Sequence, residues 1–271
     1  MPIANAADSR PRILLLFTVF FGMLATIASW AQSSPSTPPA KSTASARLPS
    51  AREVFATHVK ALGGEQAIHR HTSIHVKGTW EIPGLGRSGP LEIFAAEPNK
   101  FLMRADVPGF RSEAGFNGQV GWGSNEAMGP DPVIMKGKGL ERMRAEADFY
   151  GQFNRERRYR SMRTVERTRF EGQECYKLKL VAKTGDELFE FYDVKSGLFA
   201  GAMKAAEGSQ GKVWVTIVEE DYKKFGDLLL AARTLRKMAV EEVLTYTSVE
   251  FDNVPDSVFE PPPKVKEQLK K

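Results

Sequence analysis

Between Ile74 and Phe251 the chain is a succession of short runs in which apolar and polar residues alternate, interrupted by glycine-bearing turns. A period of two places successive side chains on opposite faces of a pleated strand, so these runs are half-buried β-strands rather than helices. In the first, Ile74, Val76, Trp80 and Ile82 share one parity, while His75, Lys77, Thr79 and Glu81 share the other. Further runs follow at 90–96, 100–107, 110–116 and 119–124. Their separators are Pro83-Gly84, Glu97-Pro98-Asn99, Pro108-Gly109 and Asn117-Gly118, and Asn-Gly readily supplies the positive φ angles of a tight hairpin. Strands resume at 162–170, 173–183, 187–194, 198–206, 212–223, 228–238 and 242–251. This pattern predicts a mainly β (α+β) domain: a strongly curved antiparallel sheet of about 11–12 strands that meanders into a half-open barrel.

Two segments have helical spacing instead. Ser50 followed by Glu53 is a capping-box arrangement, with Val54, Phe55, Val59 and Leu62 on one face and Gly63-Gly64 as the stop. Leu140 to Tyr150 follows a Gly/Pro-rich loop and carries Leu140, Met143, Ala147 and Tyr150 along one stripe, which suits a lid or plug over the sheet.

The first 31 residues read as a secretory signal. Arg10 and Arg12 precede an uncharged run from Ile13 to Ile27, and Ser29-Trp30-Ala31 offers small residues at a cleavage site. An uncleaved inner-membrane anchor is the alternative reading of that run. Residues 32–49, rich in Ser, Pro and Thr, form a disordered linker. The folded domain is expected at 50–263, with a charged tail at 264–271. An exported protein of net charge +5 is not expected to bind nucleic acid, and a monomer in the periplasm is expected. Its single cysteine, Cys175, sits in a strand and cannot form an internal disulfide.

Bulky, soft apolar residues are plentiful on the strands: Trp80, Phe101, Met103, Phe116, Trp122 and Trp214. Met135, Met143 and Phe149 lie in the loop and helix that could cover them. Such residues usually pack a core. A barrel of about twelve strands, however, is too wide for its own side chains to fill, and thioether and aromatic groups suit irregular acyl chains. These nine residues are therefore the expected lining of a ligand cavity.

Other features weigh less. Arg155, Arg157, Arg158, Arg160, Arg163, Arg167 and Arg169 form a basic stretch that is either a solvated strand face or a guide to anionic surfaces. His58, His69, His71 and His75 are close in sequence, but no cysteine or ordered carboxylate completes a metal site, and no cofactor is expected. There is no Gly-x-Ser-x-Gly elbow, His-Glu-x-x-His helix or phosphate loop, so the chain is read as non-enzymatic.

Several segments, in order, resemble the LolA/LolB-like superfamily and its outer-membrane lipoprotein-sorting relatives. They are Ala61-Leu62-Gly63-Gly64, Lys77-Gly78-Thr79, Pro98-Asn99-Lys100, and Gly115 through Trp122. Leu140 through Phe149, Gly172 through Leu178 and Pro255 through Pro262 continue the set. The resemblance implies a curved sheet wrapped around helices that plug an apolar cavity. It also implies a periplasmic carrier or sensor of lipids or acylated proteins, with transient contact at a membrane surface or membrane protein. A non-catalytic envelope module that works by protein contact is the first alternative, and an envelope hydrolase the second.

Overall fold

The computed structural model describes residues 47–270, apart from 130, 152, 209 and 210. The expected signal segment and most of the linker lie outside the described residues. Helix α1 (Ala51–Leu62) starts at the expected capping box: the Ser50 hydroxyl accepts from the Glu53 amide, and the Ser50 amide donates back to the Glu53 carboxylate. Helix α2 (Glu65–Arg70) follows the glycine pair.

Six strands then run outward from the middle of one large sheet: β1 (Ser73–Ile82), β2 (Arg87–Ala96), β3 (Lys100–Ala105), β4 (Ser112–Phe116), β5 (Gly121–Asn125) and β6 (Val133–Ile134). The chain next crosses the open side of the sheet through α3 (Gly137–Glu146) and α4 (Arg155–Arg158). It re-enters at the far edge as β7 (Tyr159–Phe170) and meanders back through β8 (Gln173–Ala182), β9 (Glu187–Asp193), β10 (Phe199–Gly208) and β11 (Gly211–Glu220). A small hairpin, β12 (Lys223–Phe225) with β13 (Leu228–Leu230), precedes β14 (Arg233–Lys237) and β15 (Glu242–Phe251). Strand β15 pairs with β1, so the first and last strands of the sheet meet at its centre. All thirteen pair antiparallel, and the edges β6 and β7 do not meet, leaving a half-open barrel.

That topology positions the site. A chain that finishes one meander at β6 and starts the next at β7 must pass over the sheet, and the concave side is where α3 and α4 lie. At the central seam, Gly78 is required by close approach. A Cβ there would stand 2.1 Å from the Thr245 carbonyl oxygen, at a β-bulge between Lys77 and Gly78.

Three boundaries differ from expectation. The run read as one strand at 228–238 is split by Ala231-Ala232, because its first part turns back on β12 instead of joining the sheet. The mid-chain helix begins and ends earlier than 140–150, with Gly137 at φ +53° as its first residue. The C-terminal segment read as a tail forms α5 (Pro263–Leu269), whose Val265 is wholly buried with Phe259 on the outside of the sheet. Val265 docks it, with Gln268 donating to the Pro132 carbonyl and Lys264 paired with Asp131.

Candidate functional site on the concave face

Register fixes which residues face inward. Trp80 lies opposite Leu244, Ile93 opposite Met103, and Phe101 opposite Phe116. These side chains form one continuous buried cluster with Leu91, Ala105 and Ala114. Met135 and Met143 enter from above, with Leu140 and Ala147 alongside. Six of the nine expected cavity residues (Trp80, Phe101, Met103, Phe116, Met135 and Met143) are thereby brought together under α3. The indole Nε1 of Trp80 is buried there without a hydrogen-bond partner among the described residues.

The other three lie elsewhere. Trp122 is fully buried but on the opposite, convex face, packed with Leu102, Phe259 and Val265 while its indole N–H donates to Glu113 at 3.1 Å. Strand β5 turns its glycines inward instead: a Cβ on Gly121 would stand 2.5 Å from the Met143 sulfur. The inward side of β5 is thus the lighter one, since α3 needs that space, and choosing the bulkier parity misplaces Trp122. Trp214 is 56% exposed on the convex face, 6.3 Å from the Phe189 ring, because Val215 and Ile217 take the inward positions of β11. Phe149 is half-buried in the turn after α3, edge-on to Tyr150, with its amide bonded to the Pro98 carbonyl.

Helix α3 is lightly held. Met143 is its one fully buried apolar side chain, and Lys136 provides no side-chain cap. Its C-terminal half is tied to the far side of the sheet by charges. Arg142 donates to both carboxylate oxygens of Asp186 at 2.9 and 2.7 Å, and Glu146 sits 3.7 Å from Arg158. Partial burial pushes the Asp186 carboxyl up, but hydrogen bonds from Arg142 and Thr184 outweigh it and hold it below the usual carboxylate range.

The concave face beyond this cluster, across β9 to β15, is charged, which the sequence pattern did not reveal. Arg155 of α4 donates to Glu190 at 2.7 Å and to the Tyr192 hydroxyl at 3.0 Å, and its guanidinium stacks 4.6 Å over Phe55 of α1. Tyr192 donates in turn to the other Glu190 oxygen. Arg236 and Glu242 pair at 3.2 Å, both buried. Burial lowers Lys204 to about 8 despite the nearby Glu146, and raises Glu219 to about 7. The Tyr222 hydroxyl stands 2.8 Å from the Phe199 carbonyl and 3.1 Å from the Glu219 carboxyl. The hydroxyl proton is shared between these two acceptors, and its bond to Glu219 offsets part of the burial that raises the carboxyl. These groups are mostly matched to one another, which makes them ties between helices and sheet.

The histidines are separately employed. His58 is buried against Tyr192, with burial and Arg155 pushing it down to about 4. His71 bridges Asp227 and Asp252, His75 stacks on Phe94 beside Glu92, and His69 lies against Tyr150. Cys175 is fully buried among Phe170, Phe191 and Val218, with its thiol pushed up to about 11 by that burial. Two clefts, of about 440 and about 320 Å³, lie at the β7 end and beside Glu219–Tyr222, and neither is lined by the apolar cluster.

A single curved antiparallel sheet with helices seated on its concave face defines a half-open barrel. The particular version is LolA-like. A LolA superfamily protein from Nitrosomonas europaea superposes with a TM-score of 0.53 over 79% of this chain and 99% of its own, at 12% identity. A DUF1329 family protein from Desulfovibrio piger gives a TM-score of 0.54 over 77% and 96%, at 11% identity. No protein-family model and no curated protein matches the sequence.

Proposed function

We propose that this chain is an exported, non-enzymatic periplasmic protein that binds a hydrophobic ligand, a lipid or a lipoprotein acyl chain, beneath α3. The observation that carries this reading is the seating of α3. A helix contributing one fully buried apolar side chain covers a continuous apolar surface that includes Trp80, Phe101, Met103 and Phe116.

The interior is filled, so the ligand takes the place of the helix. Withdrawing Met143 from its site costs about 1.5–3 kcal/mol, the usual value for a buried apolar side chain. An acyl chain that buries about 300 Å² gains roughly 7 kcal/mol at about 25 cal/mol per Å². Met103, Met135 and Met143 can repack around an irregular chain because the thioether side chain is unbranched and flexible. The LolA-like fold and the signal-like N-terminus support the periplasmic setting and the ligand class.

A second reading, an envelope module acting by protein contact, draws on the filled interior. The two are separated by pinning α3. Cysteines at Gly121 and Met143 can form a bond between β5 and α3 when oxidised, and Cys175 is too buried to interfere. The purified double variant is titrated with a fluorescent fatty-acid analogue. Saturable binding that vanishes on oxidation and returns with reductant supports the exchange. Equal binding in both states would remove α3 from the mechanism, and no binding by the unaltered protein would favour the contact module.

A further inference from the structure

The two edges of the sheet differ. Strand β6 has two residues, whereas β7 has twelve and is hydrogen-bonded on one side only, to β8, among the described residues. An unpaired strand edge offers a row of N–H and C=O groups to any extended chain that can reach it. Natural edges are guarded by shortening, covering, bulges or charge. This one is guarded by charge, and a guard of one sign still admits a partner of the other.

Arg160, Arg163, Arg167 and Arg169 are all exposed along β7. Arg167 is paired with Glu174 on the neighbouring strand, while Arg160, Arg163 and Arg169 have no carboxylate partner among the described residues. Register places them on both sides of the strand. Arg163 lies opposite Lys179, on the convex face, whereas Arg167 and Arg169 lie opposite Tyr176 and Glu174, on the concave one. Charges on both faces of an edge flank an added strand from above and below. A bilayer, by contrast, is met by one flat face.

We propose that β7 is a pairing edge that recruits an extended, acidic segment of a partner protein by strand addition along residues 163–169. A second copy of this chain is a poor occupant, since it would set arginine against arginine, and like charges directly opposite are destabilising. Bulges beside Tyr159 and Thr164 interrupt long flat pairing of β7 with itself; the second lies inside the proposed stretch, whose regular part runs from Glu166. At the start of the strand, the cleft of about 440 Å³ beside Ala51, Tyr159 and Met162 offers room for one apolar side chain of the incoming segment, and Arg160 and the Arg52–Glu156 ion pair also line it.

The test pans a displayed library of random decapeptides against the full chain, then measures the enriched peptides in solution. The expected peptides carry Asp or Glu at alternate positions among β-branched residues. Their binding slows amide exchange within 163–169 and weakens about tenfold or more in the Arg163→Glu/Arg169→Glu double variant, as it does when salt rises from about 0.05 to about 0.5 M. Both substitutions are at exposed positions, so a circular dichroism spectrum like that of the unaltered chain shows the variant folded. Absence of acidic enrichment, peptides indifferent to the charge reversal, or protection confined to another segment would overturn the proposal. So would charge-sensitive binding of phosphatidylglycerol vesicles with no enriched peptide, which would make the arginines a membrane contact.

Discussion

Arg142 grips Asp186 through two parallel hydrogen bonds, Nε to Oδ2 at 2.9 Å and Nη2 to Oδ1 at 2.7 Å. The pair joins α3, at one end of the concave face, to the turn between β8 and β9 at the other. It is the shortest ion pair on a helix that has one fully buried apolar side chain.

Arg142→Ala releases this tie. Both partners are partly exposed, so the expected loss of stability is about 1 kcal/mol or less. The rate at which a fluorescent fatty-acid analogue is taken up should rise several-fold in stopped-flow mixing, while the amplitude is kept. An unchanged rate would mean that α3 is not held by this pair.

Met143→Ala separates packing from access. Met143 is 4% exposed, and truncating such a residue costs about 2–5 kcal/mol, which chemical denaturation would register directly. The cavity it leaves lies against Gly121, Met135 and Leu140, so affinity for the analogue is expected to rise even as the fold weakens. Parallel losses of stability and binding would indicate that Met143 only packs.

His71 ties the start of β1 to the end of β15 and to the β12–β13 turn, with Nδ1 2.7 Å from Asp252 and Nε2 2.8 Å from Asp227. With a carboxylate on each nitrogen, the ring is held as the imidazolium. Burial alone would lower its pKa, but the hydrogen bonds it donates to Asp227 and Asp252 outweigh this and raise it above 6.5. Its stabilisation is therefore complete below about pH 6.5 and is lost as pH climbs through the folded value. The two aspartates are lowered below 3.8, so their share is lost only in acid. His71→Gln is expected to abolish the decline in melting temperature that begins above pH 6.5. A decline of the same size in the variant would assign it to another group.

Glu219 gives a decline of the same sign in a lower window. Burial raises it from 4.5 to about 7, so the folded state holds its proton longer than the unfolded chain does. Stability is unaffected below about pH 4.5, falls as pH rises towards 7, and is level above that. Glu219→Gln keeps a neutral group beside Tyr222 and should flatten that slope, leaving the protein more stable at pH 8 than the unaltered chain. Equal stability curves would show that Glu219 is ionised in the fold.

The strands were legible because a period of two survives wherever one face is buried, and turn glycines mark their ends. The capping box at Ser50 and Glu53 is equally local and fixed the start of α1. Site residues were legible only where the bulkier parity faces inward, as at Trp80, Phe101 and Met103. At β5 the inward residues are Gly121 and Gly123, small because a helix sits on them, and nothing in the strand's own pattern announces a helix that arrives from the loop after it. Arg155, Glu190 and Arg236 look like surface charges in sequence. Their partners are 35 residues away for Arg155 and six for Arg236, and burial is decided by the curvature of the whole sheet.

Native mass spectrometry of the protein, gently purified from the envelope of its own cell, tests the carrier reading most directly. The account predicts a retained adduct with the mass of a phospholipid, a fatty acid or an acylated peptide, displaced by the fluorescent analogue. A bare polypeptide mass, unchanged after incubation with added lipid, would contradict it.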